Sequence, residues 1–531
     1  MQRGLWWQTA VIYQIYPRSF QDSNYDGIGD LRGITRRLPY LVELGVDAVW
    51  LSPIFRSPMA EFGYDISDYT DIDPLFGSLH DFDELLAAAH SQGLKVVLDL
   101  VPNHTSDQHP WFLDSRASRR SCKRDWYIWR DPAPSGGPPN NWLSVFGGSA
   151  WEYDRASGQY YYHAFLAAQS DLNWRNRAVR SAIYEVMRFW FRRGVDGFRV
   201  DVIWHLIKDD EFRDNPPNVG FRATDLPHHR LVPLYTVDRP EVHDVIAEMR
   251  RVADEFSDRV LIGEIYLPLE RLVAYYGRDL AGLHLPFNFS LLSASWRAPA
   301  IAGLIGEYEA ALPSGGWPNW VLGNHDRPRV AAKRGQAQAR VAAMLLLTLR
   351  GTPTLYYGDE LGLSDVAIPP AQVQDPRGLR EPGLSLGRDP VRTPMPWDGS
   401  ENAGFTAAAA RPWLPLNADW PTRNVARMAE EPHSILMLYR QLLAARRAHL
   451  ALSIGDFALL DAEGDVLAYE RRHGAERLIV ALNLGGASHR LELPDWASDC
   501  RLLLSTVADA ALAGDGALLL RADEGVILTA D

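Results

Sequence analysis

"DFDELLAAAHSQGLKVVLDLV", residues 81–101, indicates a helix that runs directly into a strand. Apolar side chains recur at helical spacing before Gly93, and a β-branched run follows at 95–101. We expect Asp81 to cap the start of the helix and Gly93 to end it, because Asp accepts backbone N–H bonds and Gly adopts the left-handed conformation. Helices that alternate with buried strands are typical of a parallel sheet.

Seven further apolar runs repeat this arrangement along the chain. They are VIYQIYP (11–17), AVWLSP (48–53), GFRVDV (197–202), VLIGEI (260–265), LHLPFNFSL (283–291), NWVLGNHD (319–326) and PTLYYGDEL (353–361). Together with residues 95–101 they make eight strands, separated mostly by helical patterns. The sequence therefore predicts an α/β fold, a closed (β/α)8 TIM barrel.

Two regions depart from the alternation. Many more residues than one helix requires separate the third strand from the fourth, and they are rich in Trp, Tyr, Pro and Gly. After residue 453 the pattern has period two, which indicates a small antiparallel β-domain. We predict a barrel at 1–103 and 173–453, a subdomain inserted after strand three at 104–172, and a C-terminal β-sandwich at 454–531.

Composition excludes several classes of protein. The net charge of −13 argues against nucleic acid or an anionic membrane as a partner. No stretch approaches the roughly 20 apolar residues that a membrane-spanning helix needs, and residues 1–17 do not resemble a signal peptide. Cys122 and Cys500 lie far apart and form neither a disulfide framework nor a zinc motif. We expect a cytoplasmic protein.

Acidic and histidine side chains follow the predicted strands. Active sites of barrel enzymes lie at the carboxyl ends of the strands, and a carboxylate within an apolar run is costly to bury. One such acid alone could be a satisfied core group, but several at successive strand ends indicate a site. The candidates are Asp99, His104, Asp201, Glu264, His325, Asp326 and Glu360.

Two or three carboxylates without a reactive Cys or a redox motif suit glycoside hydrolysis. One acid protonates the leaving oxygen, and another attacks the anomeric carbon or activates water. A third negative group would stabilise the positive transition state. Arg199 lies two residues before Asp201, so both side chains point the same way on a strand, and the guanidinium would keep this carboxylate ionised.

At this point the sequence resembles the α-amylase superfamily of glycoside hydrolases over essentially its whole length. The family's short signatures are matched by DLVPNH (99–104), GFRVDVIWH (197–205), GEIY (263–266) and VLGNHD (321–326). QSDLN (169–173) resembles the signature of the oligo-1,6-glucosidase and α-glucosidase branch, with Ser170 in place of its usual Pro. WWQTAVIYQIYPRSF, GYDISDY, HLPFNF and RTPMPWDGSENAGF also resemble that branch.

The resemblance implies roles for individual residues. Asp201 would be the nucleophile, Glu264 the general acid/base and Asp326 the transition-state stabiliser. Residues expected to contact the sugar are Tyr64, Asp65, His104, Phe165, Arg199, His325 and Arg392. Arg392 would pair with Asp65 and close one end of the pocket. Phe165 could equally be an ordinary core residue of the inserted subdomain.

The stretch DSNYDGIGD (22–30) has side-chain oxygens at alternate positions. It could be a surface turn, and it is not an EF-hand, because Gly33 stands where the bidentate Glu would be. In the branch that the chain resembles, this loop often binds a divalent cation. The resemblance implies a structural Ca²⁺, or Mg²⁺, held by the side chains of Asp22, Asn24, Asp26 and Asp30 and the Ile28 carbonyl.

We therefore expect a retaining, exo-acting α-glucosidase that acts on short α-glucosides such as maltose and isomaltose, with possible transglucosylation. One alternative is a relative that isomerises sucrose or maltose, or transfers glucose. A second, of another class, is a catalytically inactive sugar-binding or transporter-associated homologue. In relatives, Val at position 202 accompanies acceptance of α-1,6 links. The sequence leaves open the linkage preference, the ratio of transfer to hydrolysis and the oligomeric state.

Overall fold

Eight short parallel strands form the central sheet. The computed structural model describes residues 5–381, 384, 386–497, 499–508 and 517–530. The strands are β1 (Ile12–Ile15), β2 (Ala48–Leu51), β3 (Lys95–Leu100), β4 (Gly197–Val200), β5 (Val260–Gly263), β6 (Leu285–Pro286), β7 (Asn319–Val321) and β8 (Thr352–Tyr356). The prediction of eight strands is confirmed, and each observed strand falls within or one residue from its predicted run.

The strand order closes the sheet into a nearly complete barrel. Neighbouring strands follow the order β6-β5-β4-β3-β2-β1-β8-β7, and all these pairs are parallel. One isolated parallel bridge joins Asn288, just after β6, to Trp320 in β7. The short β6 contains Pro286, which has no N–H to donate to a ladder, so the closure rests on few hydrogen bonds.

Helices follow the strands and cover the barrel. One follows each strand: α1 (Leu31–Leu44), α2 (Leu79–Ser91), α3 (Arg177–Arg193), α4 (Val242–Asp254), α5 (Leu269–Leu272), α6 (Ala298–Ala311), α7 (Val330–Thr348) and α8 (Ile435–Ala448). Further short helices span Trp6–Thr9, Pro17–Phe20, Pro110–Ala117, Ser290–Ser293, Pro376–Arg380, Val425–Glu430 and Leu450–Ser453.

The start of α2 differs from the prediction. Ser78, not Asp81, is the N-cap, and its side chain accepts from the backbone N–H of Asp81. The Asp81 carboxylate in turn accepts from the Ser78 N–H at 2.8 Å. This reciprocal capping box satisfies two N–H groups, so Asp81 contributes to the cap from a position within the first turn of the helix.

The chain between β3 and β4 carries small sheets of its own. Strand His104–Ser106 pairs antiparallel with Gln169–Asp171, so both ends of the insertion meet beside the barrel. Between them, Gln159–Tyr162 pairs with Trp129–Arg130 on one side and with Trp151–Asp154 on the other. A small aromatic cluster around the buried Trp142 fills the space behind these strands.

The C-terminal part forms two antiparallel sheets, as the period-two pattern predicts. Five strands pair in the order Asp456–Leu460, Val466–His473, Glu476–Asn483, Gly525–Thr529 and Arg501–Ser505. His489–Glu492 pairs with Ala517–Leu520 as a second sheet. Leu491 and Leu518 of the second sheet share one hydrophobic cluster with Ile479 and Val526 of the first.

Two buried arginines join this region to the barrel. Arg446 of α8 donates to the carbonyls of Leu347, Leu349, Gly351 and Leu452 at 2.5–3.2 Å. Arg471 donates to the Thr348 and Leu452 carbonyls. Several of these oxygens belong to the C-terminal end of helix α7, where the last carbonyl groups lack partners within the helix and carry partial negative charge. The two guanidinium groups therefore stabilise the last turn of α7.

In the part of the chain that the structure describes, no helix has both the length and the apolar character needed to cross a membrane.

Candidate active site

A cavity of about 420 Å³ opens at the carboxyl ends of the barrel strands. Asp201 follows β4 directly, Glu264 follows β5 directly, and Asp326 lies in the loop after β7. All three carboxylates line the cavity. The parallel topology places consecutive strand ends together, so acids that are distant in sequence meet on one rim.

One guanidinium connects the acids that follow β4 and β5. Arg199 Nη1 lies 2.6 Å from Asp201 Oδ1 and 2.8 Å from Asp99 Oδ1, and its Nη2 lies 2.7 Å from Glu264 Oε2. The Val202 N–H also donates to Glu264 Oε2 at 3.0 Å. The Arg199 side chain is 2 % exposed and lies beneath the cavity rather than in its lining. These contacts fix both carboxylates at the cavity floor.

Charge is unbalanced around Arg199. Burial raises the pKa of Asp201 well above its usual range, and Glu264 and Asp99 add to this, whereas Arg199 lowers it. Burial likewise raises the pKa of Asp99 to about 6, although Arg199 opposes the rise. The expectation that Arg199 alone keeps Asp201 ionised is therefore wrong, because burial and the neighbouring acids outweigh the guanidinium.

Val202 has a strained backbone. Its φ of 36° and ψ of 43° lie in the left-handed region, which is uncommon for a β-branched residue. This conformation ends β4 and turns the Val202 N–H towards Glu264. The side chain also lines the cavity, so Val202 does border the pocket, as a residue at the end of a strand can.

Asp326 lies among arginines at the other side of the cavity. Arg392 Nη2 is 2.8 Å and Arg388 Nη1 is 3.2 Å from its Oδ1. Burial raises the pKa of Asp326, but His325, Arg388 and Arg392 together lower it well below its usual range. Burial also lowers the pKa of His325 to about 3, so we attribute the effect on Asp326 to the two guanidinium groups. Asp326 is therefore a permanent negative charge.

Tyr64 and His325 form a stacked pair in the cavity wall. Their ring centroids are 5.5 Å apart with an interplanar angle of 5°, and Tyr64 Oη lies 2.8 Å from His325 Nε2. Tyr64 also donates to Asp99 Oδ2 at 3.1 Å, while Gln14 Nε2 is 2.8 Å from His325 Nδ1. Both rings are thus held in place by buried polar partners.

His104 and Phe165 line the cavity beside this pair. Their ring centroids are 5.3 Å apart, and His104 Nε2 lies 3.0 Å from the Tyr64 carbonyl oxygen. Phe165 also packs on Phe146 and His205. Phe165 therefore both packs in the inserted segment and faces the cavity.

The predicted pair of Arg392 and Asp65 does not form. Asp65 is fully buried, and its two oxygens accept from the N–H groups of Ala60 and Glu61, both at 2.9 Å. Arg392 instead donates to Asp326 and to the His325 carbonyl. Neither side chain lines the cavity. Both side chains lie behind the cavity wall and contact other polar groups instead of each other.

Glu61 and Arg388 occupy the place predicted for that pair. Both line the cavity, and Arg388 bridges Glu61, Asp326 and Asp375. Sequence reasoning missed them. Glu61 stands two residues before the recognised GYDISDY, and Arg388 four residues before Arg392. A search for a second acid and a second arginine next to the recognised motifs would have found both.

Glu360 does not belong to this site. It is fully buried, and it accepts from the hydroxyl groups of Tyr13 and Tyr40, both at 2.7 Å. It ties β1 and α1 to the end of β8. The prediction of a site residue was wrong here, because a strand end can also hold a buried carboxyl that serves the core.

Backbone N–H groups of the loop at 22–30 donate to carboxylate oxygens of the same loop. Asp22 accepts from the N–H groups of Asn24, Tyr25 and Gly27 at 2.7–3.0 Å, and Asp26 accepts from the Ile28 N–H at 2.8 Å. Asp30 caps α1 through the Gly33 N–H. No cluster of three Asp, Glu, His or Cys able to hold a metal occurs among the described residues.

One carboxylate of that loop is buried without a cationic partner among the described residues. Asp22 is 1 % exposed, and in the described part of the chain no Lys, Arg or His side chain pairs with it. Carboxylate, amide and carbonyl oxygens are the ligands that hard divalent cations prefer. The loop offers such oxygens from three carboxylates, one amide and the Ile28 carbonyl, and an ion would take the place of hydrogen bonds that Asp22 and Asp30 accept here.

Curated relatives match nearly the whole chain. It is 43 % identical over 505 residues to the "Probable alpha-glucosidase" of Rhizobium meliloti (strain 1021), covering 92 % of this chain and 91 % of the relative. It is 40 % identical over 529 residues to the oligo-1,6-glucosidase of Parageobacillus thermoglucosidasius, covering 92 % of each.

Solved structures match over essentially the whole chain. The α-glucosyl transfer enzyme XgtA superposes with a TM-score of 0.93 at 42 % identity, covering 100 % of both chains. A variant of the trehalulose synthase MutB superposes with a TM-score of 0.92 at 36 % identity, covering 99 % of this chain and 100 % of that one. The family description "Alpha amylase, catalytic domain" matches residues 14–455. The chain therefore belongs to the α-amylase family.

Proposed function

We propose that the chain is a retaining, exo-acting α-glucosidase. Asp201 attacks the anomeric carbon while Glu264 donates its proton to the leaving oxygen, so the glycosidic bond breaks and a covalent glucosyl ester forms. Glu264 then takes a proton from water, whose oxygen displaces Asp201. Asp326 stabilises the positive charge that develops on the sugar in both steps.

One observation carries this proposal: a single guanidinium holds both reacting carboxylates. Asp201 Oδ1 and Glu264 Oε2 each contact Arg199. Two carboxylates held by one guanidinium suit the short separation of about 5–5.5 Å that retention requires. In this mechanism Asp201 is ionised when it attacks, and Glu264 carries the proton that passes to the leaving oxygen.

The other cavity residues support exo action on short substrates. Tyr64, His104, Phe165 and His325 offer ring faces to a sugar, and the Arg388–Glu61 pair closes the end beside Asp326. We propose that Arg392 and Asp65 act indirectly, through Asp326 and the loop at 60–61. A blind end of this kind admits one terminal glucose.

Incubation with maltose, isomaltose, sucrose and 4-nitrophenyl α-glucoside tests the function. Free α-glucose from the non-reducing end supports the proposal. The structural neighbours named as a transfer enzyme and a trehalulose synthase make transglucosylation or isomerisation the second candidate, which would give new glucosides or sucrose isomers instead of glucose. No turnover of any substrate would indicate an inactive homologue.

Replacing Glu264 separates the acid step from the attack. In Glu264→Gln we expect hydrolysis of maltose to fall by about 10²–10⁴-fold, the usual contribution of general acid catalysis. Formation of the glucosyl ester from 4-nitrophenyl α-glucoside should fall much less, because nitrophenolate leaves without protonation. Pre-steady-state release of nitrophenol measures this step. Equal losses on both substrates would contradict the role.

Val202 is the residue that we propose to bias linkage preference. Its stiff side chain borders the cavity, and a methyl-scale change in a pocket shifts selectivity by about 1–3 kcal/mol. We expect measurable isomaltose hydrolysis by the wild type, and a shift towards maltose in Val202→Thr. The ratio of the two kcat/KM values tests this. An unchanged ratio, or a wild type that cleaves maltose but ignores isomaltose, would refute it.

We further propose that Asp22, Asn24, Asp26, Asp30 and the Ile28 carbonyl hold a structural Ca²⁺ or Mg²⁺. The buried Asp22 carboxylate, which pairs with no cationic side chain among the described residues, supports this. Elemental analysis should find about one divalent ion per chain, and chelation should lower Tm while leaving kcat nearly unchanged. Asp22→Asn should reproduce the drop in Tm, with Asp419→Asn as an exposed control. Protein without a bound ion, whose Tm ignores chelators, would contradict the proposal.

A cytoplasmic location completes the proposal. Two cysteines placed far apart in the sequence, with no spacing of a disulfide framework, are typical of proteins in a reducing compartment. Cell fractionation with activity measured in each fraction tests it, and activity confined to the culture medium would contradict it.

A further inference from the structure

A buried lysine stands behind the wall of the active site. The chain has four lysines, and Lys208 is 4 % exposed. Its Nζ lies 2.5 Å from Asp171 Oδ2 and 2.7 Å from Asn103 Oδ1. It does not line the catalytic cavity. Burying a charge this deeply costs free energy unless the charge is paired and hydrogen-bonded.

The contacts of Lys208 continue to the cavity. Asn103 Nδ2 lies 2.8 Å from Asp171 Oδ2 and 3.1 Å from His104 Nδ1. The opposite ring nitrogen, Nε2, contacts the Tyr64 carbonyl and the Gln169 side chain. The His104 ring is thus held at both nitrogens, and the chain of contacts from Lys208 ends on one of them.

This chain also joins three separate segments. Lys208 follows the turn after β4, Asp171 ends the inserted segment, and Asn103 follows β3. Asp171 pairs with His104 in the short antiparallel ladder, and its other oxygen accepts from the Ala164 N–H at 2.7 Å. We propose that Lys208 is a positioning residue for the reaction: through Asp171 and Asn103 it keeps the His104 ring neutral and fixed in the cavity wall.

The charges around His104 support this role, which rests on the proposed function. Burial lowers the pKa of His104 to about 4, Lys208 lowers it too, and Asp171 raises it. His205, from the turn after β4, is held neutral by burial, which lowers its pKa. Without Lys208, the Asp171 carboxylate would be the one charge acting on His104 from these segments. A cationic His104 would then oppose the positive transition state.

Replacement of Lys208 by a neutral residue tests the proposal. In Lys208→Met we expect the pKa of His104, followed by NMR of protein that carries isotope-labelled histidine, to rise by about 1 unit, because an unpaired carboxylate raises a neighbouring pKa by about 1–3 units. Lys208→Gln keeps a hydrogen-bond donor without the charge and should show the same shift. The glutamine variant decides the matter if the methionine variant does not fold.

Two further variants separate charge from packing. Lys208→Met with Asp171→Asn removes both charges, so the pKa of His104 should return towards that of the wild type. Lys123→Met removes a lysine that pairs with Asp114 at 3.2 Å in the inserted segment, and the pKa of His104 should not change. A His104 titration in Lys208→Gln that superimposes on that of the wild type would overturn the proposal.

Failure of this inference differs from failure of the proposed function. If the wild type releases no glucose from any α-glucoside, the proposed function is wrong. If the wild type is active and the pKa of His104 does not move in Lys208→Gln, only the role of Lys208 is wrong.

Discussion

Asp201→Asn should lose at least about 10⁴-fold in kcat, while Tm and the circular dichroism spectrum stay close to those of the wild type. The amide has no negative charge with which to attack the anomeric carbon, and losing a nucleophile costs on the order of 10⁴–10⁶-fold in rate. The fold should survive, because the amide can still accept from Arg199, which keeps its contacts to Asp99 and Glu264. Initial rates on maltose measure the loss.

Asp210→Asn provides the matched control, since Asp210 is an exposed carboxylate in the loop that follows the same strand. It should retain wild-type kcat. Azide should also discriminate, because an external anion can replace a missing nucleophile and would then give β-glucosyl azide from an activated substrate. A rate near that of the wild type in Asp201→Asn would contradict the assignment.

Arg446→Ala should have the largest effect on stability. The guanidinium is buried and donates to four carbonyl groups. Each buried acceptor left without a partner costs about 1–3 kcal/mol, so we expect a loss of at least about 3 kcal/mol. Because unfolding of a chain with several domains is seldom two-state, the drop in Tm by calorimetry is the measure.

The neighbouring Arg447 is the control for that change. It lies on the same helix, is largely exposed, and pairs with Asp47 at 2.9 Å at the surface. Exposed ion pairs contribute about 0–1 kcal/mol, so Arg447→Ala should move Tm little. Similar shifts for the two variants would show that the buried carbonyl contacts do not stabilise the junction.

The barrel could be predicted because its signal is local and repeated. Each strand is a short apolar run between helical patterns, and eight repeats leave few alternative folds. The acids at the strand ends were equally visible, since a carboxylate in an apolar run has a high cost. Asp201 and Glu264 were identified in this way, and the topology explains why they meet.

Contacts between distant loops could not be predicted in the same way. Asp65 accepts from the nearby Ala60 and Arg392 donates to Asp326, while Glu61 and Arg388 meet across more than three hundred residues of sequence. The periodicity of apolar residues along the sequence carries no information about such a pairing. The αL conformation of Val202 was also invisible, because β-branched residues normally avoid it. Glu360 shows the opposite error, a strand-end acid that serves the core.

The arginines at the end of α7 also affect the order in which the chain can fold. Synthesis proceeds from the N-terminus at about 5–20 residues per second, so α7 leaves the ribosome well before Arg446 and Arg471 do. Until then the carbonyls of Leu347, Thr348, Leu349 and Gly351 lack the donors that they have in the finished protein. The end of helix α7 therefore depends on sequence that is translated after it. Its last carbonyl groups wait for Arg446 in α8 and for Arg471 in the C-terminal sheets.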